Sequence, residues 1–134
     1  MAKISSEMKE VTEKAKGWAL ATASKDGTPH IIPVGFAKVL SDSEILVMDC
    51  FMTKTTKNIE ANPKVAISAW DYDALKGYRF EGVPIIHKSG PVFDNGAKWV
   101  KEVMPQLSAR AAIVVKVEKV YNTSPGPDAG KEIS

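Results

Sequence analysis

Residues 53–57, Thr-Lys-Thr-Thr-Lys, stand where an apolar run ends and a helical pattern opens, inside the stretch CFMTKTTKNIEANPKV of residues 50–65. The first turn of a helix leaves backbone N–H groups without carbonyl partners and carries the positive end of the helix dipole, so it attracts anions. With Thr53 as N-cap, its hydroxyl accepts one of those N–H groups, and the N–H groups of Lys54, Thr55 and Thr56 stay free to donate outward. Lys54 and Lys57 add positive charge. The Thr55 and Thr56 hydroxyls add neutral hydrogen bonds, and the set is adequate for a terminal phosphate monoester. The same residues also suit a capped, solvated helix, and their spacing alone does not choose between the two.

A second unusual spot is Pro33-Val34-Gly35-Phe36. A glycine in a strand removes a side chain, which admits a flat ligand or another backbone, or else marks a bulge or a barrel bend. Other chemistry is sparse. His30 and His87 fall in separate strands with no carboxylate or cysteine at metal-ligand spacing, so both read as surface or structural histidines and no metal site is expected. Cys50 is the only cysteine, which excludes an intrachain disulfide and a cysteine-rich zinc site; at a strand end it reads as a small buried hydrophobe. Trp18, Trp70 and Trp99 read as core or interface aromatics. There is no Ser/His/Asp constellation and no glycine fingerprint of a dinucleotide-binding unit.

The elements that must position these residues follow from periodicity and punctuation. Ser5 or Ser6 caps a first helix with Met8, Val11 and Ala15 on one side, ended by Gly17. Residues 18–23 and 29–40 form a hairpin across an Asp-Gly turn, and the second strand is apolar on both alternating sets. One of its faces can line a barrel, and the other needs a helix, a ligand or another subunit. Residues 44–49 continue as a strand into the helix of residues 54–61, which Asn62-Pro63 stops. Strands over residues 64–70 and 78–88 follow. Asp94 caps a third helix with Trp99, Val100, Val103 and Met104 on one stripe, ended by Pro105, and residues 111–120 make the last strand with Ile113, Val115 and Val117 inward. Six strands with short turns and no parallel crossovers describe an antiparallel barrel over residues 1–122. Residues 123–134 are a Pro/Gly/Ser-rich tail, expected to be flexible.

Composition narrows the function classes. At 134 residues and a formal charge of +2, the chain lacks the basic excess that nonspecific nucleic-acid binding requires. It also lacks an apolar run long enough to span a membrane and a leader-like start, so a soluble cytoplasmic protein is expected. One domain of this size is small for a self-sufficient enzyme cleft, and an interface with a second copy would ease that limit.

The order ATASKDGTPHIIPV, EILVMDCFMTKTTKNIEANPKVAI, YRFEGVPIIHKSGPVF, ARAAIVVKVEKVY resembles the FMN-binding split-barrel superfamily of pyridoxamine 5'-phosphate oxidase-like proteins, and within it the small stand-alone FMN-binding proteins. The resemblance covers roughly residues 18–121. It implies a six-stranded antiparallel split β-barrel with peripheral α-helices and FMN held at a homodimer interface. The phosphate would sit at Thr53, Lys54 and Thr55, with Lys57 as a further cation and Asn58 nearby. Pro33, Val34 and Gly35 would border the isoalloxazine ring, and Val47, Met48, Asp49, Cys50 and Phe51 would offer it backbone hydrogen bonds. Tyr78 and Arg110 would come from the partner chain. Many members carry two adjacent basic residues where this chain has Lys54-Thr55. The oxidase proper also has a longer C-terminal part with substrate-binding basic residues, which argues against pyridoxamine phosphate oxidation itself.

The resemblance therefore implies a flavoprotein for electron or hydride transfer, with a partner protein or a transiently bound nicotinamide as donor, where the cofactor does the chemistry and the protein positions it. A second class with the same fold is a non-catalytic module that stores, senses or delivers a flavin or tetrapyrrole. A third is an interaction dimer with no ligand.

Overall fold

A computed structural model describes residues 2–134. The elements run α1 Ser6–Lys14, β1 Trp18–Ala23, β2 Pro29–Val34, β3 Ala37–Ser41, β4 Glu44–Asp49, α2 Lys54–Ala61, β5 Val65–Asp71, β6 Lys76–His87, α3 Pro91–Val103 and β7 Ala111–Asn122. The strands form one antiparallel sheet in the order β2-β1-β5-β6-β7-β4-β3. It curls into a half-barrel. Its concave face gathers Leu20, Ile45, Val47, Ile67, Phe80, Ile113, Val115 and Val117 into the main core, each at most 1% exposed.

The strand count is seven, not the expected six. The single strand expected over residues 29–40 is two: β2 pairs with β1, and β3 pairs with β4. These partners belong to opposite edges of the sheet, so one unbroken pleat cannot serve both ladders. The chain crosses between the edges at Gly35-Phe36, the two residues between β2 and β3. Phe36 secures the crossing twice: its carbonyl accepts the Met48 N–H at 2.9 Å, and its ring meets Trp99 edge to face, 5.3 Å between centroids at 87°.

Alternation explains the two-sided burial of β4 and β7. Their concave residues enter the main core, while Leu46, Met48, Ala112 and Val114 on the other face are covered by α3. This helix starts at Pro91, behind Gly90 with φ 93°, three residues before the expected cap at Asp94. Proline at the first helical position has no N–H to satisfy there and a pre-set φ, which outweighs the aspartate signal. The face it turns to the sheet carries Gly96 and Val100, whereas Val103, expected on that stripe, is 59% exposed. Gly96 lies so close to Met48 that a Cβ there would fall 2.4 Å from the thioether sulfur.

Smaller contacts pin the remaining pieces. Ser5 caps α1 by accepting the Met8 N–H at 3.2 Å, and the helix ends at Lys14, before Gly17. α2 has only eight residues, too few to be stable alone, and it is fixed by the buried Asn58 side chain, which donates to the Thr22 hydroxyl of β1 at 3.0 Å. Residues 123–134 double back along β7, with Ile133 N–H donating to the Val120 carbonyl at 2.8 Å and Tyr121 bridging Glu132. No helix among the described residues is long and apolar enough to cross a membrane.

The β6–β7 ladder shifts register between Glu81 and Gly82, and a Cβ on Gly82 would stand 2.1 Å from the Lys116 carbonyl oxygen. That obstacle is backbone and cannot swing aside. Gly82→Ala is expected to cost about 2–4 kcal/mol in urea unfolding. A change under about 0.5 kcal/mol would mean that the ladder slips freely there.

Candidate functional site

A cavity of 610 Å³ opens where the Gly35-Phe36 crossing, the end of β4, the loop of residues 50–53 and the first turn of α2 converge. Its volume is within the roughly 300–1,000 Å³ of small-molecule sites. β2 and the crossing contribute His30, Ile32, Pro33, Val34, Gly35 and Phe36. β4 and the loop contribute Met48, Cys50, Phe51 and Met52; Met104 and Leu107, beyond α3, add to the apolar part. The polar end is Thr53, Lys54 and Thr55.

That polar end is arranged to donate. Thr53 is the N-cap, yet contrary to expectation its hydroxyl makes no capping hydrogen bond, because φ −121° and ψ −70° are not the extended geometry that aims a cap side chain at the helix. The first-turn N–H groups are left without that partner. The Thr56 hydroxyl donates back to the Thr53 carbonyl at 3.0 Å and so turns away from an anion role. Thr55 is 1% exposed, and the side-chain hydrogen bonds beside it run from Thr56 to Thr53 and from Asn58 to Thr22 without engaging its hydroxyl. No fully enclosed side-chain oxygen or nitrogen among the described residues lacks a partner. Thr55 is one of the residues lining the polar end of the cavity. Unpaired N–H groups and the Lys54 ammonium at one end of an apolar slot fit a ligand with a flat apolar body and an anionic tail.

Of the residues singled out in the sequence, Pro33, Val34, Gly35, Met48, Cys50, Phe51, Thr53, Lys54 and Thr55 meet at this cavity. Four do not line it. Val47 points into the main core, Asn58 is the strut to Thr22, Lys57 is exposed on α2, and Asp49, 3% exposed, is ion-paired to Arg110. Tyr78 is 7% exposed and packs beside Phe80 within the same chain. His30, Ile32, Phe36, Met52, Met104 and Leu107 line the cavity without having been singled out. His30 was legible as an alternate position of the strand that carries Ile32 and Val34, but Met104 and Leu107 arrive only through the packing of α3. No cluster of metal-ligating side chains occurs among the described residues.

An antiparallel half-barrel with an apolar slot ending at a helix N-terminus is the frame of a small-ligand-binding protein. Residues 4–124 match the family model described as pyridoxamine 5'-phosphate oxidase, and the chain belongs to that family. It is 38% identical over 117 residues to an uncharacterised protein of Methanocaldococcus jannaschii, covering 86% of this chain and 78% of that one. The crystal structure of HupZ from Group A Streptococcus superposes with a TM-score of 0.83 at 29% identity, over 95% of this chain and 99% of that one. An FMN-binding protein from Syntrophomonas wolfei shares the fold at a TM-score of 0.74 and 19% identity, over 87% and 88% of the two chains.

Cys50 faces the cavity only in part, and burial pushes its thiol above the ordinary value, with the Asp49 charge adding to the rise and Arg110 opposing it. The thiolate is the reacting form, so raising the pKa depletes it at neutral pH. Alkylation of Cys50 at pH 8 is expected to be slower than that of free cysteine, because less of it is thiolate, and to accelerate as the pH is raised. Labelling as fast as free cysteine would contradict this environment.

Proposed function

We propose that the chain binds FMN noncovalently in the 610 Å³ cavity, at the interface of a homodimer, and uses it for electron or hydride transfer. The observation that carries this reading is the uncapped start of α2, with Lys54 and Thr55 lining one end of an apolar slot. The phosphate fits Thr53, Lys54 and Thr55, and the ring system fits against Pro33, Val34 and Gly35. Gly35 helps because no neighbouring atom lies within 4 Å of where its Cβ would be, so the backbone itself is approachable. Cys50 and Phe51 border the same slot from the loop side.

A second copy is part of the proposal for a physical reason. Phe51 is 73% exposed at the cavity rim, and Ile31 at 67% and Ile85 at 50% stand on outward strand faces. Apolar side chains this exposed, with Phe51 at the mouth of the cavity, suit a surface that is covered in use. Bound FMN supplies reversible hydride and single-electron chemistry, while this chain holds the phosphate, fixes the ring and excludes water from one face. A nicotinamide or protein donor approaches over the other face.

Protein purified without added cofactor and then titrated with FMN is expected to bind it and to sediment as a dimer. Lys54→Ala is expected to weaken FMN binding about tenfold while changing riboflavin affinity and the dimer little, since it removes a charge-assisted phosphate contact and no apolar area. Protein that refuses FMN would end the flavin reading. A Soret band with added haem in its place would move the assignment to a tetrapyrrole.

A further inference from the structure

Asp49 and Arg110 are joined by more contacts than a surface ion pair needs. The Arg110 backbone N–H donates to the Asp49 carbonyl at 2.7 Å, and its Nη2 donates both to Asp49 Oδ1 at 3.2 Å and to the Met52 carbonyl. The Met52 N–H donates to the same Oδ1 at 2.7 Å. Together these bonds tie both ends of residues 49–52 to the strand start at Ala111. The guanidinium does not line the FMN-sized cavity. It borders a separate depression of 290 Å³ with Thr56, Glu60 and Lys88.

We infer that Asp49 and Arg110 form a positioning pair that makes the cavity selective for a phosphorylated ligand over its dephosphorylated counterpart, by fixing the loop that aims the α2 N–H groups. The inference rests on the phosphate reading above. Thr53 has no side-chain cap to hold the start of α2, and Lys54 is the one lysine or arginine lining the cavity. Selectivity for an anion must then come from N–H groups whose direction is fixed in advance, because dipoles that reorient on binding contribute less. Met52 is the last residue before Thr53, and both of its backbone polar groups are held by this pair.

A direct ligand role for Arg110 predicts the opposite sign at Asp49. Were the guanidinium a phosphate ligand, neutralising Asp49 would free it and remove a repelling charge, and FMN would bind tighter. As a positioning pair, loss of either member loosens the loop.

The experiment measures dissociation constants of FMN and riboflavin for the full chain and for Arg110→Met, Asp49→Asn and the double variant. Arg110→Met carries the test should an Asp49 variant fold poorly, because the guanidinium is half exposed. Wild type is expected to prefer FMN by at least about tenfold. Arg110→Met should weaken FMN roughly tenfold and riboflavin less than about twofold; Asp49→Asn should also weaken FMN, and the double variant should be no worse than Arg110→Met alone. Tighter FMN binding by Asp49→Asn would overturn the inference in favour of a direct ligand. Equal losses for FMN and riboflavin would overturn it in favour of general scaffolding. Should Lys54→Ala impair FMN selectivity while Arg110→Met does not, only this inference falls; should wild type fail to distinguish FMN from riboflavin, the phosphate reading falls with it.

Discussion

The passage of the chain from one edge of the sheet to the other at Gly35-Phe36 is the constraint on which the site depends. Two modest interactions hold it, the Phe36 carbonyl on the Met48 N–H and the Phe36 ring on Trp99. Each is worth only about 1 kcal/mol. They do not hold the barrel together, since the ladders and the buried core around Phe80, Ile113 and Val115 do that. What they decide is where the sheet stays open. Because the break lies there, Val34, Gly35 and Phe36 line a cavity, and the first turn of α2 is near enough to close its polar end.

That arrangement also explains why α3 belongs to the site without supplying its polar groups. Val92, Phe93 and Trp99 cover the outer face of β4 and β7, and Trp99 holds Phe36 on one side while the Lys38 ammonium lies 4.3 Å from its ring centre. The segment following α3 places Met104 and Leu107 against the slot, where Met48 and Met52 also stand. Methionine has three rotatable side-chain bonds and a polarizable sulfur, so this lining adapts to a flat ligand at small cost.

Local signals made much of this legible in the sequence. β1, β4 and α2 start and end where alternation, the Asp-Gly turn and Asn62-Pro63 place them. The break in residues 29–40 was hidden because both alternating sets are apolar there, which is how a continuous two-faced strand also looks. Gly96 could not be read as a packing residue, since a glycine adds nothing to an apolar stripe, whereas Val103 adds to it and lies exposed. The cavity-lining trio of Thr53, Lys54 and Thr55 was visible as a linear cluster. Asp49 and Asn58 sit in the same cluster but face structural partners, and only the tertiary positions of Arg110 and Thr22 separate them from the lining. The family resemblance fixed the superfamily and the order of elements, while the count of strands needed the pairing.

A buried carboxylate five residues before the start of α2 is at first sight an electrostatic error beside the proposed phosphate site. The Asp49 side chain is 5% exposed, and near a phosphate its unpaired charge would oppose binding. Pairing with Arg110 removes the objection, because the two charges together present little net field while their hydrogen bonds act on the backbone. The arrangement separates attraction from rigidity. In the proposed phosphate site Lys54 and the α2 dipole supply the first, and the neutralised pair supplies the second. Under that proposal, neutral donors are set in place before the ligand arrives, which lowers the cost of holding an anion.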